Sequence, residues 1–244
     1  MAMASTRQAG LALVAGVVLA MVGSLVFPGG PFVESVDQTD FEAALAALAD
    51  SPRLGHLTSL MVIVGMLLHA YGLLGLIGLA RGQEGLRGPG LRFGILLSLF
   101  AWGIFTVAIG KRLMVIHLIQ RSDLAETAEM QALSDSAALT GHTEMAGLTV
   151  AFITMYPFES ALVGLGLAPR FVGMDVFRAS CYGLVVVGAL GLLNLVYALF
   201  VPDTDLLSHL IINNLVLSFG SLCLLILGIG MYRGRSEFTP DDAR

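Results

Sequence analysis

The chain has 244 residues, of which 56% are hydrophobic and 13% are charged, and its formal net charge is −5. Its mean hydropathy is +0.84. Because soluble domains carry roughly 25% charged residues, this composition excludes an ordinary soluble protein and predicts several membrane spans in a lipid bilayer. The negative charge also argues against nucleic acid as a partner, since phosphate backbones are bound through Lys and Arg.

Six apolar segments meet the length of about 20 helical residues needed to cross a bilayer. They are Ala9–Phe27, His56–Ala80, Phe93–Leu118, Met145–Ala168, Ala179–Val201 and Leu206–Tyr232. The segments and their loops account for nearly the whole chain. We therefore predict an all-α polytopic membrane protein, with a single six-helix transmembrane domain over residues 1–244.

The first segment has two interpretations. Arg7 followed by an apolar core is also typical of a cleaved signal peptide, but Pro28-Gly29-Gly30-Pro31 is a poor match to a small-x-small cleavage site. Ala12, Gly16 and Ala20 recur every four residues, which favours close packing on a neighbouring helix. We expect this segment to be retained as the first span.

Basic and acidic residues alternate between successive loops. The basic set comprises Arg7, Arg81, Arg87, Arg92, Arg170, Arg178, Arg233 and Arg235. The acidic set comprises Glu34, Asp37, Asp40, Glu42, Asp50, Asp123, Glu126, Glu129, Asp135, Glu144, Asp203 and Asp205. The positive-inside rule then places both termini in the cytoplasm and the acidic loops outside.

Two outer loops contain helical patterns of their own. Thr39-Asp40-Phe41-Glu42 matches a capping box with Thr39 as the N-cap, and an apolar face follows until Pro52. Residues Ser122–Ser136 show a similar helical pattern, with the acidic residues Asp123 and Glu126 near its start. We predict two short amphipathic helices, which either cover the outer end of the bundle or act as solvated connectors.

Glu159 lies in the middle of the fourth apolar segment, where an ionisable group is costly and usually functional. Counting along the helices from Arg170 and Arg81 puts Glu159 and His69 about 16 and 18 Å from the inner boundary. We predict a buried polar pair of these two residues at this level, next to a kink at Pro157. The alternatives are a structural carboxylic acid and a neutral core histidine.

A polar pocket open to the outside is predicted from four residues: Lys111, Asn194, Asn213 and Asn214. Lys111 and Arg112 lie near the outer end of the third segment, and they could contact an anion or a lipid headgroup, pair with the acidic loops, or act as interfacial anchors. Each asparagine could instead make an interhelical hydrogen bond.

A possible metal site comprises residues predicted near the outer boundary: His56, His117, His142, Glu144 and His209. Imidazole and carboxylate are ligands for zinc, iron and copper. A haem edge, a pH-sensitive gate or separate headgroup-level residues are the alternatives. Cys181 and Cys223 are interpreted as apolar fillers. No motif identifies catalytic residues or a particular cofactor.

Two runs carry a family resemblance. Asp50-Ser51-Pro52-Arg53-Leu54-Gly55 opens the second span, and Ala161-Leu162-Val163-Gly164-Leu165-Gly166-Leu167-Ala168-Pro169-Arg170-Phe171-Val172-Gly173 closes the fourth. With six spans and a long first outer loop, the chain resembles a broad family of bacterial six-helix membrane proteins of unassigned function. The resemblance implies this fold and a bacterial inner membrane location, and it assigns no site residues.

Three functions are compatible with these features. The first is an accessory or small-ligand-binding subunit of a larger bacterial membrane complex, with other membrane subunits as partners. The second is a metal- or haem-binding oxidoreductase that uses the outer histidines. The third is a small proton-coupled carrier that uses Glu159 and His69.

Overall fold

A computed structural model describes residues 5–81, 83, 85–200 and 206–239. Val201, Asp203 and Asp205, which the sequence analysis assigns to the fifth span and its outer loop, lie outside these residues. The helices are α1 (Thr6–Leu25), α2 (Phe41–Asp50), α3 (Pro52–Leu74), α4 (Arg87–Asp123), α5 (Ala128–Leu167), α6 (Val176–Phe200) and α7 (Leu206–Tyr232). Short 3₁₀ turns cover Ile77–Ala80, Ala168–Arg170 and Ser236–Phe238.

Six of the described helices are long and apolar enough to span a membrane: α1, α4, α6, α7, and α3 and α5 together with the 3₁₀ turns that follow them. Each overlaps one predicted segment, and the described part of the chain has no strand, so the all-α polytopic fold is confirmed. Helices α4 and α5 have 37 and 40 residues. At 1.5 Å per residue they are about 55 and 60 Å long, which exceeds the ~30 Å hydrocarbon core.

The structure confirms one of the two predicted short helices. Helix α2 begins one residue later than the capping box predicts. The N-cap is Asp40, whose carboxylate accepts a hydrogen bond from the backbone N–H of Ala43 at 3.0 Å, and not Thr39. Aspartate is as good an N-cap as threonine or better. The second predicted helix is wrong as a separate element, since residues 128–136 are the first turns of α5.

The chain divides into two compact units. The first unit comprises residues 1–18, 65–102 and 152–244, and the second comprises residues 19–64 and 103–151. The single domain over residues 1–244 stays a prediction.

Glycines allow close helix packing in the first unit. A Cβ atom on Gly16 of α1 would lie 2.5 Å from the backbone nitrogen of His69 and 2.6 Å from the carbonyl oxygen of Gly65. A Cβ atom on Gly188 of α6 would lie 2.5 Å from the carbonyl oxygen of Pro157. Small residues at such contacts let membrane helices approach backbone to backbone.

The ends of alternate spans lie close together at one end of the first unit. The Arg170 guanidinium donates to the carbonyl oxygens of Glu237 at 2.7 Å and Thr239 at 2.8 Å, and more weakly to that of Leu79 at 3.4 Å. Gly234, just after α7, packs against the guanidinium of Arg7, just inside the start of α1. The first residues of α1 and the last residues of the second, fourth and sixth spans therefore lie together.

The second unit has its own small core. Leu48 of α2 packs with Val115, Ile116 and Ile119 of α4 and with Ala138 of α5. Helix α2 is therefore held by apolar contacts and is more than a solvated connector.

Candidate functional site

Glu159 lies in a buried group of polar and aromatic side chains within the first unit. We call this group the Glu159 cluster, and its members are His69 of α3, Ser98 and Trp102 of α4, and Tyr156 and Glu159 of α5. Ser98 and Trp102 are four residues apart, and Tyr156 and Glu159 three, so each pair shares one helix face. Glu159 is only 3% exposed.

The carboxyl group of Glu159 has neutral neighbours. The hydroxyl of Ser98 donates a hydrogen bond to Oε2, and the side chain of Trp102 lies close enough to interact with the same carboxyl group. Its other oxygen, Oε1, is buried and has no hydrogen-bond partner in the described part of the chain. One acceptor of a costly buried acid is thus unused.

Trp102 is the aromatic centre of the cluster. Its ring centroid lies 4.6 Å from that of Phe152 and 5.8 Å from that of Tyr156, the second contact being edge-to-face. The His69 ring lies 5.1 Å away. These separations are typical of favourable aromatic pairs, so Trp102 joins α3, α4 and α5 at the level of Glu159.

The predicted pair of His69 and Glu159 is not joined directly. His69 is 2% exposed, and its Nε2 atom has no hydrogen-bond partner among the residues that the structure describes. Both residues meet Trp102 instead. The cluster therefore contains an unused acceptor on Glu159 and an unused imidazole nitrogen.

Two neighbouring features shape the α5 side of the cluster. The hydroxyl of Tyr156 occupies space that a Cβ atom on Gly220 of α7 would fill. Pro157, inside α5, packs against Gly188 and Gly191 of α6, where a Cβ on Gly191 would lie 2.7 Å from the proline ring. Proline removes one helical hydrogen bond, so this segment of α5 is positioned by packing against α6 and α7.

The predicted polar pocket is not assembled as one site in the first unit. Asn194 binds His209 twice, with Nδ2 donating to its carbonyl oxygen at 3.2 Å and Oδ1 lying 2.9 Å from its Nδ1. Asn213 is buried whereas Asn214 is exposed, because adjacent helical residues face different directions. Lys111 belongs to the second unit, where it forms an ion pair with Glu144.

Of the five predicted metal ligands, His56 and His117 contact each other, and the other three have different partners. In the second unit the rings of His56 and His117 lie 4.7 Å apart, and His142 packs on Phe41 at 5.0 Å. His209 of the first unit packs on Tyr197 at 5.3 Å. Within the described residues, no group of three or more His, Cys, Asp or Glu side chains could hold a metal ion. The site of His56, His117, His142, Glu144 and His209 is therefore not carried forward.

Sequence reasoning missed Ser98, Trp102 and Tyr156. Trp102 is the only tryptophan of the chain, and its place in the middle of an apolar span was a usable signal. Tyr156 precedes Glu159 by one helical turn. Ser98 carried no signal, because serines are common in membrane helices.

Chemically, the Glu159 cluster can accept a hydrogen bond or a proton at Oε1, and its aromatic faces can hold a cation. Comparison with protein-family models, curated proteins and solved structures finds no match to this chain.

Proposed function

We propose that this chain is an integral membrane protein that binds a small ligand with a cationic, hydrogen-bond-donating head at the Glu159 cluster. The observation that carries the proposal is the buried Oε1 atom of Glu159, which lacks a partner among the described residues. An ammonium-type group would satisfy this acceptor and reduce the cost of a charge at membrane depth.

The surroundings of Glu159 support a cationic head. Ser98 and Trp102, its neighbours, are neutral, so they do not compensate a negative charge. Trp102 and Tyr156 add aromatic faces, which attract ammonium groups. The unused Nε2 of His69 provides a further hydrogen-bonding position for a ligand with more than one polar group.

The membrane, the orientation and the partners of the chain are part of the same proposal. We place the chain in a bacterial inner membrane, with both termini cytoplasmic, as a subunit beside other membrane proteins. The shared end of the spans at Arg7 and Arg170 supports an even number of crossings, and the basic loops support a cytoplasmic location for that end. Reporter fusions at both termini test the orientation, and native purification tests for partners at a constant ratio.

Native mass spectrometry of the purified full chain tests the ligand-binding function. We expect the wild type to retain a small amine or ammonium compound that Glu159→Gln loses. Glu144→Gln is the matched control, because it removes an exposed acid from the same helix. Absence of any such mass in the wild type, or its equal retention by Glu159→Gln, would exclude the proposed site.

A second candidate is a proton-coupled carrier, favoured by the hydrogen bond from Ser98 to Glu159 next to Pro157, which lies inside α5. Opening of this hydrogen bond would let the acid exchange a proton. Proteoliposomes containing a pH-sensitive dye provide the test. A carrier loses proton flux on Glu159→Gln and keeps it on Glu144→Gln, whereas a pure binding protein shows no flux in any variant.

A further inference from the structure

The second unit contains an arginine and a histidine that are not part of the Glu159 cluster. Arg112 of α4 and His142 of α5 lie at one level of this helix pair. Two flanking contacts define the level: the ion pair of Lys111 with Glu144, and Gly141, whose Cβ would lie 3.1 Å from the side chain of Val115. Arg112 is close enough to act electrostatically on His142.

Among the residues that the structure describes, the guanidinium of Arg112 has no anionic partner. Its Cζ atom lies 4.6 Å from the centroid of the Phe27 ring, and the described residues offer it neither an ion pair nor a hydrogen bond. The adjacent Lys111 does have an acid, Glu144. A guanidinium has five N–H donors in a planar fork, so Arg112 has an unused capacity to bind an anion.

His142 provides a second unused position at the same level. The side chain is 4% exposed, and its ring packs edge-on against Phe41 with centroids 5.0 Å apart. Its Nδ1 atom is buried without a hydrogen-bond partner in the described part of the chain. A buried ring nitrogen without a partner costs free energy, which a ligand that accepts its hydrogen would recover.

We propose that Arg112 and His142 form a binding site for a phosphate group, with the rings of Phe27 and Phe41 packed against the two ligating side chains. The guanidinium fork binds two phosphate oxygens, and the imidazole N–H donates to the same group. The phosphate comes either from a lipid headgroup or from a free phosphate ion, since the chemistry is shared. Arg112 would accordingly bind a ligand, whereas the adjacent Lys111 pairs with Glu144 within the protein.

The test uses the full chain in dodecyl maltoside, a detergent without phosphate. One arm titrates inorganic phosphate and the other short-chain phosphatidylglycerol, with sodium chloride at matched ionic strength as the salt control. The readouts are the Kd and the shift in Tm. We expect saturable binding of at least one probe, weakened about tenfold or more by Arg112→Gln because charge-assisted bidentate bonds are lost. Lys111→Gln, the adjacent cation, should leave the Kd unchanged.

The two arms identify the source. Binding of inorganic phosphate indicates that the site takes a free phosphate ion. Binding of phosphatidylglycerol alone indicates that it takes a lipid headgroup. His142→Phe retains a ring against Phe41 and removes the donor, so it should weaken binding severalfold even if Arg112→Gln does not fold. The proposal is overturned if neither probe binds saturably, if Lys111→Gln weakens binding as much as Arg112→Gln, or if His142→Phe leaves the Kd unchanged.

Discussion

The hydroxyl group of Ser98 donates a hydrogen bond to Oε2 of Glu159 across 61 residues of sequence. This contact joins the first half of α4 to the last quarter of α5. It satisfies one carboxyl oxygen and leaves Oε1 without a partner in the described part of the chain. The described residues therefore satisfy only one oxygen of the buried acid, which is the basis for assigning it a ligand.

Replacement of Ser98 by Ala should destabilise the protein. The substitution leaves Oε2 of Glu159 without its donor, and an unmade buried hydrogen bond costs about 1–3 kcal/mol. Thermal unfolding measures the change. Ser59→Ala is the matched control, because Ser59 is a buried serine whose hydroxyl has no partner among the described residues. Equal losses of Tm in the two variants would show that the Ser98 bond contributes nothing.

Gly220→Ala should displace the ring of Tyr156. The added methyl group overlaps the Tyr156 hydroxyl, and the ring is held by Trp102 and Phe152. Overpacking of this kind costs about 1–3 kcal/mol.

The double variant Gly220→Ala with Tyr156→Phe removes the overlapping oxygen, so it should recover much of the lost Tm. Gly103→Ala is the control, since a Cβ atom there meets nothing within 4 Å. No recovery in the double variant would contradict the assigned overlap.

Arg170→Lys should weaken the end of the first unit where alternate spans meet. Lysine keeps the charge but lacks the fork that reaches the carbonyl oxygens of Glu237 and Thr239. We expect a loss of about 1–3 kcal/mol, measured as a lower Tm. Arg81→Lys, at an exposed position, should have a Tm within error of the wild type. Equal effects at both positions would contradict a specific role for Arg170.

Stability should depend on pH through Glu237. The hydrogen bond from the Arg235 guanidinium, at 2.6 Å, lowers the pKa of Glu237. Because the folded pKa is lower than the unfolded value of about 4.3, the stabilisation is present above that value. It is lost as the pH falls through the folded pKa.

Glu237→Gln should therefore reduce the fall in Tm between about pH 6 and about pH 3. Glu126→Gln, at an exposed loop position, serves as the control and should retain the wild-type pH profile. A Glu237→Gln profile identical to the wild type would contradict the ion-pair assignment.

The six spans are predictable because about 20 apolar residues can satisfy their backbone polar groups only within a helix in lipid. Helix α2 is predictable from its cap signal, with an error of one residue between Thr39 and Asp40. The prediction of a separate second helix is wrong because no proline stands between residue 136 and the fourth span. The single glycine there, Gly141, is tolerated inside a helix, so α5 continues without interruption.

The Glu159 cluster is only partly predictable. Glu159 and His69 are identified from the sequence because they are ionisable residues inside apolar spans. Counting from the ends of the spans gives their depth in the membrane. Which helix face turns inward depends on packing between helices, as at Gly16 and Gly188. Ser98, and the contact of Trp102 with Glu159, therefore emerge only from the three-dimensional arrangement. The histidines of the predicted metal site share a predicted level because each lies near the end of a span. His56 and His117 contact each other, whereas the other two histidines pack on different aromatic rings.

Trp102 is the only tryptophan of the chain and lies beside Glu159, so its fluorescence reports on the proposed site directly. The decisive measurement is the emission of Trp102 in the purified full chain during titration with ethylammonium chloride, with sodium chloride as the salt control. The wild type and Glu144→Gln should show a saturable change in emission that Glu159→Gln abolishes. No saturable change in the wild type, or the same change in Glu159→Gln, would contradict cation binding at Glu159.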